Sequence, residues 1–580
     1  MKRYLALCLF LLLFLTACTG SLTTTDADPL LSTPSSPVIS TPVTEGEATE
    51  TTPVLTLSTS IPVTVPSTPS LTVPMTPVAT TPVTPSVTVP ATSSPDIPDT
   101  PIDPDCHKDT DDNGTCDLCG TTVIVIVDFY NINDIHGKFK DSETQIGVDE
   151  LSTYLKQQNE RDDHTVFLST GDTWQGSSES NLTEGLIFTD WMNAMGFVGM
   201  TLGNHEYDWG SASIKKNAAA AEFPLLAINV FDRATDERVS YAAPSVTVKR
   251  GGATIGIIGA IGDCYSSIAS DKSADVYFKT GSSLTALVKA ESDRLRAAGA
   301  DLIVYAIHDG YGSSKSSVTS LASREFASYY DTSLSNGYVD LVFEGHSHQR
   351  YVLRDEYGVY HLQGGGDNRA ITHAEVSVNI ANGKRAVTEA EYVYTSVYES
   401  LSDDPIVAEL LKKYESLIAK GDEILGLNRS FKSSKTLCQL VADLYYEFGE
   451  EVWGDDYTLA LAGAFLQARS PYEIPAGNVT YSQLQMIFPF DNQIVLCSIK
   501  GKDLRRVFYE SPHSSYYMHY SDYGDSLWSN INDNATYYVI TDTYSSTYAR
   551  NNMTEIERYP EGFYARDLLA EYIRQGGMAS

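Results

Sequence analysis

The hydrophobic pattern of this 580-residue chain changes character three times. Lys2 and Arg3 precede an apolar run from Leu5 to Leu15. That run is shorter than the ~20 residues a membrane-spanning helix needs, and it suits a secretory leader. The stretch that follows is rich in Thr, Ser, Pro and Val and has no means of burying a core. From Thr121 onward, short β-branched runs alternate with longer helical stretches, the pattern of a mixed α/β domain. Val123–Val127, Val166–Ser169, Gly199–Leu202, Leu302–Ile307 and Leu341–Phe343 read as strands. Further on, Asp403-Asp404-Pro405 starts a helix with Pro at its first position. Val407, Leu410, Leu411, Tyr414, Leu417 and Ile418 keep helical spacing up to a stop at Gly421.

Composition sharpens the first two regions. Of 25 prolines, 17 lie between Pro29 and Pro104, and no Lys or Arg occurs between Arg3 and Lys108. Such a segment is an extended, semi-rigid stalk. The net charge of −35 excludes a nucleic-acid polymer as partner, since that would require a basic stripe. Leu15-Thr16-Ala17-Cys18 resembles the bacterial lipobox. The resemblance implies cleavage before Cys18 and its lipidation, giving an exported protein anchored to the membrane by lipid and facing outward. An ordinary cleaved signal with an incidental Cys18 is the alternative. The expected divisions are leader 1–17, stalk 18–105, a small Cys/Asp motif 106–120, a metal domain 121–398, a linking helix 399–424 and a C-terminal domain 425–580.

The motif at 106–120 admits three readings. Cys106, His107, Cys116 and Cys119 offer soft ligands for a separate zinc ion. Asp109, Asp111 and Asn113, followed by Gly114, match the first half of a calcium loop that lacks its closing Glu. A disulfide-stapled hinge is the third. Cys264, Cys438 and Cys497 are isolated and read as packing residues, with Cys438 and Cys497 a candidate pair.

Candidate chemistry gathers where strands end. The five runs lead to Asn133-Asp134-Ile135-His136-Gly137, Gly171-Asp172, Gly203-Asn204-His205-Glu206-Tyr207-Asp208, His308-Asp309-Gly310 and Gly345-His346-Ser347-His348. Loops at the carboxyl ends of strands can converge on one crevice. In Asp134-x-His136 and His346-x-His348, the two-residue spacing points both side chains to one side of extended backbone. Two Asp, one Asn and four candidate His make an oxygen/nitrogen ligand pool for two divalent transition ions, unlike an all-oxygen magnesium site.

These strings resemble the calcineurin-like metallophosphoesterases, and Asn-Asp-Ile-His-Gly with Gly-Asn-His-Glu-Tyr-Asp-Trp-Gly resembles their secreted 5′-nucleotidase branch. The resemblance runs from about Val123 to Tyr394. It implies an α/β fold, a four-layer α-β-β-α metallophosphoesterase domain followed by an α/β 5′-nucleotidase-type C-terminal domain. It also implies a metal-dependent phosphoric ester hydrolase with two divalent ions (Zn, Mn, Fe or Co). Carried over by residue, one ion falls to Asp134, His136, Asp172 and His348. The other falls to Asp172, Asn204, His308 and His346, with Asp172 bridging. Hydroxide generated at the ions would attack phosphorus. His205, oriented by Asp208, would face the phosphate and protonate the leaving oxygen or stabilise the transition state.

The C-terminal part agrees less well. Phe488-Pro489-Phe490-Asp491-Asn492 matches a recognisable string of the family, so Phe490 and Asn492 join Asn204 as candidate substrate contacts. Where the family carries Asn-Gly-Gly-x-Ile-Arg, this chain reads Ala462-Gly463-Ala464-Phe465-Leu466-Gln467, with Arg469 as a displaced substitute. Tyr544, Phe563 and Tyr564 are stand-ins for a missing aromatic string. The expected partner is a small phosphate ester, a nucleotide or a related organophosphate. A phosphodiesterase or phosphatase on a non-nucleotide substrate, and an inactive surface binding or adhesion protein, are the alternatives.

Overall fold

The computed structural model describes residues 108–141, 146–161, 164–311, 330–464, 474–508, 517–520, 530–547, 552–560 and 562–579. The leader, the stalk, Cys18, Cys106, His107 and Arg469 lie outside the described residues.

Two six-stranded sheets carry residues 124 to 394. The first runs Arg385–Tyr394, Ala370–Asn379, Ile124–Ile132, Thr165–Ser169, Gly199–Thr201, Leu225–Leu226. The second runs Arg350–Arg354, Tyr360–Gly364, Leu341–Phe343, Leu302–His308, Ala253–Ile261, Ser245–Arg250. The inner strands of both are parallel. Parallel neighbours need crossover connections, which set helices on the sheet faces.

The alternation of the sequence decides which residue faces which layer. Val125, Val127 and Phe129 turn toward Ile255, Ile257, Val304 and Phe343 of the second sheet, forming one buried layer between the sheets. Tyr130 and Ile132 instead join Leu151, Leu155, Phe188, Trp191 and Leu410 from helices on the outer face. Across the molecule, Leu284, Val288 and Leu295 of helix Ser282–Ala297 cover Ile258, Ile303 and Tyr305. Helix, sheet, sheet, helix is the resulting order. Each large apolar side chain buried this way contributes roughly 1.5–3 kcal/mol.

The helix expected after residue 403 begins as read: Asp404 accepts the N–H of Ile406 at 2.9 Å, and Pro405 is the first helical residue. It ends at Lys413, however, and a separate turn covers Glu415–Ile418. The break falls at Tyr414, whose hydroxyl donates to Asp190 at 2.6 Å.

The C-terminal part is built on a five-stranded mixed sheet, in order Tyr517–Tyr520, Leu459–Ala464, Thr536–Asp542, Ile494–Lys500, Thr554–Arg558. Helices Ser434–Trp453 and Ala565–Arg574 cover one face through Leu437, Val441, Tyr445, Leu569 and Ile573. Helix Gly501–Phe508 covers the other through Leu504, Val507 and Phe508. The candidate pair Cys438 and Cys497 is not formed. Both are buried and outside any disulfide, and they belong to clusters on opposite faces of this sheet. Ser178 Oγ donates to Gln485 at 2.6 Å, and Arg558 lies 3.7 Å from Asp271, joining the C-terminal part to the first.

Candidate active site

The ends of five strands meet at one crevice, with backbone conformations that few side chains adopt. Asp134, His136, Asp172, His346 and His348 have φ of 51°, 52°, 52°, 67° and 54°. Each left-handed residue costs on the order of 1–2 kcal/mol, and such strain concentrates at functional sites. Backbone bonds between loops hold it: Asp134 N–H to Gly171 O at 3.0 Å, His136 N–H to Asp172 O at 3.0 Å, and Gly137 N–H to Thr173 O at 2.9 Å. Gly176 is required by this approach, because a Cβ there would lie 1.8 Å from His136 O.

Seven side chains named from the sequence come together. Asp134 accepts the N–H of His346 at 2.9 and 3.0 Å and sits 3.4 Å from His348 Nε2. The Nε2 atoms of His136 and His348 face each other at 2.9 Å. Asp172 Oδ2 lies 3.2 Å from His308 Nε2, and Asn204 Oδ1 lies 3.0 Å from His346 Nδ1. Ligand atoms of Asp134, His136 and His348 lie within 4.8 Å of one another, as do those of Asp134, Asp172 and His308. A third group of this kind joins His308 and His346 to Cys264, a thiol the sequence left as packing. Beside them, His205 Nδ1 is 2.8 Å from Asp208 Oδ2, while its backbone N–H donates to Asp172 at 2.9 Å.

Charge in this pocket is strongly interdependent. Burial raises the Asp172 carboxyl, but the His308, His205 and His136 rings overcome it and hold the group well below the usual carboxylate range. Burial pushes His308 down, yet Asp172 and Asp134 bring it up to about 10. His346 is lowered to about 4 by burial and by neighbouring His308. His308 Nε2 is buried and makes no hydrogen bond, although Nδ1 donates to Thr170 O at 2.5 Å. An orphaned imidazole nitrogen facing a carboxylate, among further N and O donors, fits a divalent transition ion.

Several residues were not singled out by sequence reasoning. Glu206 is fully buried and accepts the N–H groups of Asp172, Thr173 and Gly203 at 2.9, 2.9 and 2.6 Å. Its place inside Gly-Asn-His-Glu was the available signal. Gln363 accepts from Ser347 Oγ and Gln349 N–H and donates to Gly345 O at 2.9 Å, clamping the His346–His348 loop. No local pattern announces Gln363.

On the C-terminal side, Phe490 stacks on His205, with ring centroids 5.9 Å apart and planes 21° from parallel. Asn492 O accepts the N–H of Ala565 at 2.8 Å. Of the three aromatic stand-ins, Phe563 stacks on Phe448 in the C-terminal core and Tyr544 lies in helix Thr543–Thr547. Tyr564 lines a cavity of about 200 Å³ with Trp209, Tyr481, Asp491 and Arg566. Ala462 and Ala464 are buried in the sheet, and a Cβ on Gly463 would meet Phe508, so this strand presents no polar substitute for the family's Asn.

In the small motif, Asp109 is buried and accepts from Asn113 N–H at 3.0 Å, Gly114 N–H at 2.9 Å and Asn379 Nδ2 at 2.7 Å. Carboxylates of Asp109, Asp111 and Asp117 lie within 4.8 Å of one another. Asn113 Nδ2 donates to Asp111 at 2.9 Å. Cys116 and Cys119 are not joined in a disulfide, the first being buried and the second exposed.

Residues 128–350 match the model of the calcineurin-like phosphoesterases, and residues 419–527 match that of the 5′-nucleotidase C-terminal domain. The chain belongs to the calcineurin-like phosphoesterases of the 5′-nucleotidase type. It is therefore a metal-dependent phosphoric ester hydrolase by family. This phosphoesterase is 25% identical over 418 residues to an apyrase of Tabanus yao, covering 65% of the chain and 72% of the relative. It is 23% identical to protein UshA of Yersinia enterocolitica, covering 64% and 74%. A 5′-nucleotidase precursor structure from Thermus thermophilus superposes with a TM-score of 0.59 at 18% identity, covering 78% of the chain and 96% of that structure. A sulfate thiohydrolase, SoxB, also from Thermus thermophilus, shares the fold at a TM-score of 0.53 and 15% identity, covering 78% and 94%. Among the described residues, no helix is long and apolar enough to cross a membrane.

Proposed function

We propose that this phosphoesterase is an exported, lipid-anchored enzyme that uses two divalent ions to hydrolyse small phosphate monoesters, nucleotides foremost. The observation that carries the reading is the His205–Asp208 pair, 2.8 Å apart, set directly against the buried Asp172 carboxylate. Asp134, His136, Asp172 and His348 would hold one ion, and Asp172, Asn204, His308 and His346 the other. When bound, such ions supply positive charge to the phosphoryl oxygens and lower the pKa of water.

The chain's own residues do the rest. Asp208 accepts from Nδ1 of His205 and so fixes the ring's tautomer and orientation, leaving Nε2 for the substrate. There it hydrogen-bonds a phosphoryl oxygen or gives a proton to the leaving alkoxide. Phe490 covers one side of the ring and keeps water from it. At 1–17 the reading requires a leader, and at Cys18 a lipid; the cation-free stretch to residue 105 then serves as a stalk.

A second reading, a non-nucleotide ester or a diester as substrate, is favoured by the buried Ala462-Gly463-Ala464 strand. A nucleotide site keeps polar and bidentate donors for its ligand. The deciding experiment is hydrolysis of AMP, a sugar nucleotide, an aryl phosphate and a bis-aryl phosphate by the purified protein, with and without Mn²⁺ or Zn²⁺. Metal-dependent turnover of AMP supports the first reading. Turnover of the aryl esters without AMP replaces it with the second, and no turnover with either metal leaves a surface binding protein.

A further inference from the structure

The sequence marks Cys264 only as an isolated cysteine suited to packing, yet its surroundings are those of a ligand. It follows strand Ala253–Ile261, whose last residue pairs with His308 in parallel register. The turn Asp263–Ser267 therefore opens at the carboxyl end of the sheet, where the candidate metal loops gather. Two bonds hold that turn against the neighbouring strand. Gly262 N–H donates to His308 O at 3.0 Å, and Asp309 accepts the Asp263 N–H at 2.6 Å. Gly262 permits the approach, since a Cβ there would lie 2.1 Å from Asp309 Oδ2.

The Cys264 side chain is 4% exposed, and ligand atoms of Cys264, His308 and His346 lie within 4.8 Å of one another. Packing alone would be served by any small apolar side chain, and imidazole nitrogens are poor neighbours for one. His308 adds a second observation. It is fully buried, and its Nδ1 is spent on Thr170 O at 2.5 Å. Nε2 makes no hydrogen bond, so it is the nitrogen that His308 can offer to an ion beside Cys264. A buried polar atom without a partner is costly, and a bound ion would remove that cost. Charge points the same way. Asp134 and Asp172 supply two negative charges against the four positive charges of two divalent ions, and a thiolate supplies a third.

We propose that Cys264 is a further ligand of the ion held by His308 and His346, binding it through sulfur as a thiolate. The proposal rests on the two-ion reading of the site given above. Sγ here donates to His308 O at 2.9 Å. On binding, the S–H bond breaks, its proton passes to solvent, and the sulfur electron pair forms the bond to the ion. Thiolate is a soft donor, so this half of the centre gains affinity for zinc and little for manganese.

The test is cobalt substitution of the purified full chain, read by absorption rather than by turnover. Cobalt held by nitrogen and oxygen absorbs in the visible, and a cobalt–thiolate bond adds an intense near-ultraviolet band. The unaltered protein should show both. Cys264→Ser and Cys264→Ala should lose the near-ultraviolet band and keep the visible ones, while Cys106→Ser/Cys116→Ser/Cys119→Ser keeps both. Serine retains a donor for His308 O, so a role confined to that hydrogen bond would leave metal binding as it was. Zinc affinity of Cys264→Ser should fall at least about tenfold, the low end of the cost of losing even a partner outside the ligand set. Manganese affinity should stay within about twofold, because manganese gains little from sulfur. Visible bands without the near-ultraviolet band in the unaltered protein overturn the proposal and leave the two-ion reading standing. A near-ultraviolet band that survives in folded Cys264→Ser overturns it as well. If neither Cys264 variant folds, absence of the band in the triple variant overturns it. A chain that takes up no cobalt fails the two-ion reading itself, and the proposal with it.

Discussion

The buried carboxylate of Glu206 accepts the backbone N–H of Asp172 at 2.9 Å, and with its remaining lone pairs it ties the Asp172 loop to the Asn204 loop. Trp174 N–H also reaches it, at 3.3 Å. Burial, and then repulsion from Asp172, push its carboxyl up to about 7. Glu206→Ala would strand four buried N–H groups and is expected to cost about 3–5 kcal/mol, the scale for removing one partner of a buried charged set. Glu206→Gln keeps one acceptor oxygen and should cost less. Urea unfolding at constant m, with elemental analysis of bound metal, checks both; an Ala variant as stable as the parent would contradict the tie.

His205→Ala should lower kcat by about 10²–10⁴-fold, the usual range for a lost general acid. Metal content should stay unchanged, because the ring is not among the ligands assigned above. Asp208→Asn should cost less, since it removes orientation and charge while leaving the ring in place. Steady-state kinetics on the best substrate of the panel, paired with metal analysis, separates these outcomes from simple loss of the site.

Chelation should destabilise the protein as well as silence it. Asp134 and Asp172 are 0% and 1% exposed, and a cation among them offsets their mutual repulsion. A ligand that binds only the folded state stabilises by about 2.7 kcal/mol at a hundred times its Kd. The midpoint of thermal unfolding should therefore rise with added Mn²⁺ or Zn²⁺ and fall with EDTA. Asp172→Ala should abolish both the activity and this dependence; a midpoint indifferent to metal would count against the ligand set.

In the C-terminal sheet, Asp542 offers a pH signature. It is buried in the C-terminal sheet, and burial raises its carboxyl to about 6 despite hydrogen bonds from Ser545 N–H and the Tyr445 hydroxyl. The unfolded chain ionises near the ordinary 3.8, so between about 4 and 6 the folded state binds the extra proton. Stability present at low pH is lost as pH rises through that window, on the order of 3 kcal/mol in all. Asp542→Asn should flatten this part of the profile, measured by denaturant titration from pH 4 to 7. An unchanged slope would place the titration elsewhere.

Much of the candidate metal site was legible because its residues sit in short, ordered strings. Asp134 and His136, or His346 and His348, are separated by one residue, and a strand end delivers both to one place. The helix start at Asp404-Pro405 was equally legible, since capping is a local bond. Its end was not: Tyr414 interrupts the periodicity where its hydroxyl meets Asp190, more than two hundred residues earlier. Cys438 and Cys497 looked alike in sequence, yet they face opposite sides of a sheet. Phe563 and Tyr564 are adjacent, and only packing sends one to the core and the other to the cleft.

By itself the sequence determined the pool of candidate ligands and the mixed α/β pattern, because side-chain type, hydrophobic period and short spacing are properties of neighbouring residues; the four-layer order and the reaction class were implied by its resemblance to a known family. The tertiary structure alone decided what surrounds that chemistry: the Glu206 carboxylate under Asp172, the Gln363 clamp on the His346 loop, and the stacking of Phe490 on His205. Each of these joins segments distant along the chain, and their meeting depends on how sheets and helices pack rather than on any local pattern.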